Sequence, residues 1–167
     1  MLTFWLVFFL ISARADLPST LPAELRAPAS QKLILQAHGV GDQVYICQAV
    51  EGNYAWTLKA PDARLLDADG RQLGRHFAGP TWEAKDGSRV VGKPVASVPS
   101  PDPRSVPWLR LDAVRHDGSG AMSQVLSIQR LNTNGGKAPT QGCGSSKIGA
   151  EVRVPYQADY YFYGNGR

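Results

Sequence analysis

Val152, Val154, Tyr156, Ala158, Tyr160 and Phe162 fall at an unbroken period of two. Only an extended strand sends every second side chain to the same face, so this run fixes a strand with one apolar face near the end of the chain. A register slip of one residue would turn all six side chains to solvent. The strand therefore belongs in the interior of a sheet, or in one that closes a barrel.

The rest of the chain follows the same rhythm. Residues 43–48 are rich in β-formers, and residues 54–59 place Tyr54, Trp56 and Leu58 on one face. Over residues 108–114, Leu109, Leu111 and Ala113 alternate with Arg110 and Asp112. Asp69-Gly70, Asp86-Gly87 and Asp117-Gly118 are hairpin-type dipeptides between strand-like runs. Asn134-Gly135-Gly136 opens a longer loop reaching about Lys147, and the four prolines within residues 94–103 predict an irregular crossing. No segment carries a helix-length apolar stripe. The chain is expected to be all-β, a single-domain antiparallel sandwich or barrel over residues 33–163, preceded by an irregular arm at residues 16–32. Pro18, Pro22 and Pro28 break that arm and leave room for a helical turn only at residues 23–27.

The first fifteen residues read differently. Residues 2–11 are almost wholly apolar, and Ala13-Arg14-Ala15 offers the small residues that a signal peptidase recognises, although no Lys or Arg precedes the apolar run. The stretch is too short for a spanning helix, which needs roughly 20 residues. It is expected to be a cleaved signal peptide, residues 1–15. The mature protein would then be exported, periplasmic or extracellular, with no stable membrane anchor. Removing 15 of the 167 residues leaves one domain's worth of chain. Loss of Arg14 takes the formal charge from +4 to +3, and no two Lys or Arg are adjacent, so nothing marks a nucleic-acid surface. In an oxidising compartment the two cysteines, Cys47 and Cys143, are expected to be bonded. The chain-entropy model assigns such a closure roughly 4–5 kcal/mol.

Chemical motifs are sparse. Gly39-Val-Gly41 and Gly118-Ser-Gly120 lack the third glycine of a dinucleotide fingerprint, and the first leads into a strand rather than a helix. Both read as turns, and no cofactor is expected. No nucleophile elbow is present. His38, His76 and His116 have no chelating spacing, so no metal site is assigned, although three imidazoles leave a periplasmic metal-binding role as an alternative. The densest cluster is residues 75–87, where Gly79-Pro80 turns the chain between His76 and Trp82-Glu83. Two readings compete for it. One is a ligand site rimmed by that turn, with His76, Trp82 and Glu83 reaching it and, as polar partners from the segment 129–133, Arg130 or Asn132, which alternate with Leu131 and so are expected to share one face. The other is a buried histidine satisfied by a backbone carbonyl beside a core tryptophan. A hydrolase using His76 with Glu83 or Asp86 is a further alternative, because a carboxylate beside an imidazole makes a general base. The most favoured role is binding, of a small molecule or of a cell-envelope or extracellular polymer such as a polysaccharide.

An ordered set of residues carries a resemblance. It comprises Gln43-Val-Tyr-Ile-Cys47, Trp56 with Ala60-Pro61, Gly74-Arg-His76 running into Ala78-Gly-Pro-Thr-Trp82, and Asp86-Gly-Ser88. It continues through Pro107-Trp-Leu109, Gln129-Arg-Leu-Asn-Thr133, Gly135-Gly136, Ala138-Pro139, Gly142-Cys143, Val154-Pro-Tyr156 and Tyr160-Tyr-Phe-Tyr163. From about Leu21 to Tyr163 the chain resembles the family catalogued as domain of unknown function 3455, exported proteins of bacteria and fungi. The resemblance implies an exported single domain and supports pairing Cys47 with Cys143. It implies no activity. Arg110 departs from the family's apolar continuation and leaves open whether its strand is buried on both faces.

Overall fold

The computed structural model describes residues 17, 18 and 20–165. The expected signal segment lies outside the described residues. Eight antiparallel strands follow one another in chain order: β1 (Lys32–Val50), β2 (Asn53–Leu66), β3 (Gln72–Phe77), β4 (Thr81–Ala84), β5 (Arg89–Val98), β6 (Trp108–Asp117), β7 (Val125–Gly135) and β8 (Glu151–Gly164). Each pairs with the next, and β8 returns to pair with β1, so the sheet closes into a ring. Sequence alone left sandwich and barrel open; closure decides for a barrel. The ring is uneven, since β1 has 19 residues and β4 only four.

Two of the Asp-Gly dipeptides lie between consecutive strands and the third ends β6 at Asp117, with Gly70, Gly87 and Gly118 at positive φ. The β1–β2 hairpin turns on Glu51 and Gly52, at φ 49° and 81°. Positive φ at both central residues matches the twist of the strands, and Asn-Gly is its usual signature.

Alternate residues of the strands fill the interior. Leu65, Trp82, Val90, Leu111, Ile128, Ala158, Tyr160 and Phe162 form one buried cluster. Met122, in the loop between β6 and β7, belongs to it, and its backbone N–H donates to Ser88 Oγ at 3.0 Å, so this loop plugs one end of the barrel. Along β8 the expected period two holds from Tyr156 to Phe162, all at 2% exposure or less. Val152 and Val154 are only half-buried. They pair with β1 alone, because β7 leaves β8 at Tyr156.

A second cluster lies outside the ring. Leu25, in the 3-10 turn Ala23–Leu25, is fully buried against Trp108, Leu131, Tyr161 and Tyr163. Gln129 Nε2 donates to the Leu25 carbonyl at 2.6 Å, and the Tyr163 hydroxyl donates to Gln129 Oε1 at 2.9 Å. The arm is thus a strap over β5–β8. Arg110 sits on this outer side, partly buried, with one nitrogen 3.7 Å from Asp112.

Three local expectations need correction. Gly39 and Gly41 are not turn residues but lie inside β1. A Cβ at Gly39 would stand 2.7 Å from the Tyr160 ring, and one at Gly41 would stand 2.2 Å from the Asp62 carbonyl. Their role is close approach, a recognised use of strand glycines. The crossing expected at residues 94–103 begins later, because β5 runs through Pro94 to Val98 by means of a register shift between Pro94 and Ala96. A bulge there frees the chain from the ladder bond that proline cannot donate. Arg130 and Asn132 do not share a face: Asn132 adopts φ 49°, within a register shift between Leu131 and Asn134. Asparagine tolerates that left-handed conformation better than most residues.

Cys47 and Cys143 form a disulfide across 96 residues of sequence, with Cα atoms 5.4 Å apart. It ties the loop 136–150 to β1. The Trp56 indole donates to the Gln141 carbonyl at 2.8 Å and the Tyr45 hydroxyl to the Gly136 carbonyl at 2.6 Å, holding the same loop. No helix among the described residues is long and apolar enough to cross a membrane.

A candidate ligand cavity inside the barrel

Opposite the Met122 plug, the barrel interior contains a cavity of about 300 Å³. Exposed Leu58, Gly79 and Pro94 stand at its mouth, and buried Gln43, His76, Trp82, Leu111 and Tyr160 form its floor. An eight-stranded barrel of this kind is either just filled by its own side chains or holds one small ligand.

The β3–β4 link explains how His76 and Trp82 come together. Gly79 lies midway between them, at φ 119°, and the two are direct cross-strand partners. Both side chains point inward and stack, with ring centroids 4.4 Å apart and planes 10° from parallel. Tyr160 meets both edge-on, at 5.2 Å from His76 and 5.6 Å from Trp82. Room for these rings comes from glycines on the neighbouring strands: Gly39 lies against Tyr160, and a Cβ at Gly92 would stand 2.9 Å from the Trp82 ring.

His76 Nδ1 lies 2.9 Å from the Thr81 carbonyl oxygen. That oxygen only accepts, so Nδ1 carries the proton and Nε2 of the neutral ring keeps its lone pair. Burial lowers the His76 pKa from 6.5 to about 3; the Thr81 bond opposes the shift and the Arg130 charge adds to it. The ring is therefore neutral at ordinary pH. Tyr156 and Tyr160 join hydroxyls at 2.8 Å, and burial raises both phenols well above the usual range, so they also stay neutral.

Three further groups give the cavity its polarity. Gln43 is 2% exposed, and neither its amide nitrogen nor its amide oxygen has a hydrogen-bond partner. The Trp82 indole nitrogen is likewise buried and unpartnered. Arg130, on β7, directs Nε and Nη2 at the Pro107 carbonyl, 3.2 and 2.8 Å away, from a position lining the cavity. Buried polar groups in folded proteins are almost always paired, so the unpaired Gln43 amide at the cavity floor calls for an explanation.

Of the expected site residues, His76, Trp82 and Arg130 line the cavity together with Gly79 and Pro80. Glu83 and Asn132 do not. Glu83 follows Trp82 by one residue and so faces outward, between Arg75 at 2.9 Å and Arg89. Those two arginines, Arg75 first, hold its carboxyl below the usual range. Asn132 donates to Asp159 Oδ2 at 2.9 Å on the outside of the ring. Asp86 accepts from the Ser88 hydroxyl and, at 2.8 Å, from the Ala121 N–H, which keeps it ionised and fixes the Met122 loop. His76 therefore has neither Glu83 nor Asp86 beside it. His38 bonds Asp159 Oδ1 at 2.7 Å, and His116 Nε2 bonds the Val125 carbonyl at 2.7 Å. Among the described residues no group of three or more His, Cys, Asp or Glu is placed to hold a metal ion.

Sequence reasoning missed Gln43 and gave Tyr160 only a core role. The signal for Gln43 was present: it continues the inward period of Ala37, Gly39 and Gly41, where an amide is out of place in a core.

Comparison with curated proteins and with solved structures returns no match. The model of one family does match, over residues 28–164, and that family is described as a protein of unknown function (DUF3455). The match spans the whole ring of strands, from ahead of Lys32 to Gly164, and with it every residue that lines the cavity, so the chain belongs to this family.

Proposed function

We propose that this is an exported binding protein that takes a small molecule into the interior of its barrel. The carrying observation is the Gln43 amide, buried with donor and acceptor both unpaired on the floor of a 300 Å³ cavity. Leaving a buried polar group unpaired costs roughly 1–3 kcal/mol, so a purely structural position favours an apolar residue. The polar groups sit at the bottom of a recess in the barrel interior, which favours a small molecule over a polymer chain. The hydrolase alternative lacks a carboxylate at His76, and the metal alternative lacks a second ligand there. The disulfide and the apolar segment at residues 1–15 support an oxidising destination outside the cytoplasm.

Gln43→Leu tests this reading. The variant is expected to melt at the same temperature as the wild type or higher, because the unpaired amide is gone. It is also expected to lose at least tenfold in affinity for any molecule that stabilises the wild-type protein in a thermal-shift screen. Unchanged affinity, or a broad screen with no saturable binder, would overturn the proposal.

A further inference from the structure

We propose that the ligand is a small carboxylate with an apolar body, its anionic head held by Arg130 together with the Gln43 and Trp82 N–H donors; this rests on the interior-binding reading above.

The charge pattern of the cavity points to this class. Its lining contains two cations, Lys59 and Arg130, and no Asp or Glu. Lys59 is already paired with Glu151 outside. Arg130 is engaged only by neutral groups, the Pro107 carbonyl and the Tyr160 hydroxyl, and no carboxylate among the described residues pairs with it. Its side chain is half-buried, lines the cavity and bonds the Tyr160 hydroxyl, which places the guanidinium at the cavity wall. A guanidinium that is partly withdrawn from water and lacks a counter-ion gains most from an oxyanion, whose two oxygens match its fork.

The neutral groups agree. The unpartnered Trp82 Nε1 can only donate, and the Gln43 amide adds two N–H donors. The unpaired acceptors among the lining side chains are the Gln43 oxygen and His76 Nε2. Unmet donors, with Arg130, outnumber unmet acceptors, as an acceptor-rich head requires. A cationic head would meet Arg130 in a low-dielectric space and be repelled. The remaining wall is apolar, built from Pro61, Pro94, Leu109, Leu111 and the Trp82 face. A dry cavity of about 150 Å³ accepts a benzene ring, so twice that volume holds a ring or short chain plus its head.

The test is a matched set of acids, amides and amines on three bodies: benzoate, phenylacetate and hexanoate with their neutral and cationic counterparts. Each is titrated calorimetrically into the full mature chain. At least one acid is expected to bind saturably, with its amide and amine at least tenfold weaker. Arg130→Gln is expected to erase that preference, bringing acid and amide within about threefold, while circular dichroism stays native. Should Arg130→Gln fail to fold, the head-group ratio on the wild-type chain still decides. Amides that bind as tightly as acids, or a preference that survives Arg130→Gln, overturn the carboxylate assignment while leaving the interior-binding reading standing. Binding by none of the nine compounds overturns the assignment as well. The broad thermal-shift screen then tells whether the parent reading falls with it.

Discussion

His76 and Trp82 stack face to face across the β3–β4 pair, 4.4 Å between centroids, with the imidazole Nδ1 proton on the Thr81 carbonyl. Two planar side chains thus form one rigid wall of the cavity. Neither ring can turn without breaking the stack, and the imidazole also loses its hydrogen bond. The wall is set by a short link, three residues between Phe77 and Thr81. Preorganisation of this kind lowers the entropy lost when a ligand binds.

Protonation of His76 should unfold the protein from the inside. Its pKa is lowered from 6.5 to about 3 on folding, so between those values the unfolded chain binds a proton that the native chain refuses. Stability is therefore full above about pH 6.5 and falls as pH drops towards 3. Between pH 6.5 and pH 4.5 the loss should approach about 2–3 kcal/mol, at 1.36 kcal/mol per unit. Denaturant titrations at half-unit steps check this, and His76→Gln should flatten the slope in that window. An equal slope in the variant would show that other groups carry it.

Gly92→Ala should evict Trp82 from its seat. The added Cβ meets the indole at 2.9 Å and Leu111 at 3.3 Å, in a strand interior where backbone freedom is not at issue. Overpacking of this sort costs about 1–3 kcal/mol. Near-ultraviolet circular dichroism should change along with the melting temperature, since the His76–Trp82 stack would be disturbed. A variant with wild-type stability and an unaltered spectrum would contradict the described packing.

Cys143→Ser should loosen one region and weaken the whole. Loss of a native disulfide typically costs 2–5 kcal/mol in small domains. Hydrogen exchange should rise most across residues 136–150, which the disulfide, Trp56 and Tyr45 hold down, while β3–β5 keep their protection relative to global unfolding. Uniform loss of protection would mean that the loop is not a separable unit.

How much of this was legible beforehand depends on distance along the chain. Local signals worked: the period two of β8, the Asp-Gly turns, and Gly79-Pro80 as the point that folds His76 back on Trp82. Glu83 was grouped with Trp82 even though alternation alone sends neighbours to opposite faces, and its place between Arg75 and Arg89 follows from that rule. The disulfide was readable from two cysteines and a compartment. Non-local facts were not readable. Nothing in residues 32–50 names residues 151–164 as partners, so closure of the ring stayed hidden. The docking of Leu25 on Trp108 and Tyr161 was equally hidden, because a lone leucine between prolines has no periodicity. Asn132 was misplaced because a single left-handed residue within a bulge reverses the alternation that relates it to Arg130.

The pairing of β1 with β8 sets the order of events during synthesis. The first strand cannot complete its ladder until the last one has left the ribosome, and Cys47 must wait for Cys143 in the same way. Such long-range closure raises contact order and slows folding. An emerging chain of this topology therefore stays an open sheet, with both edges unpaired, until β8 is available to shut the ring.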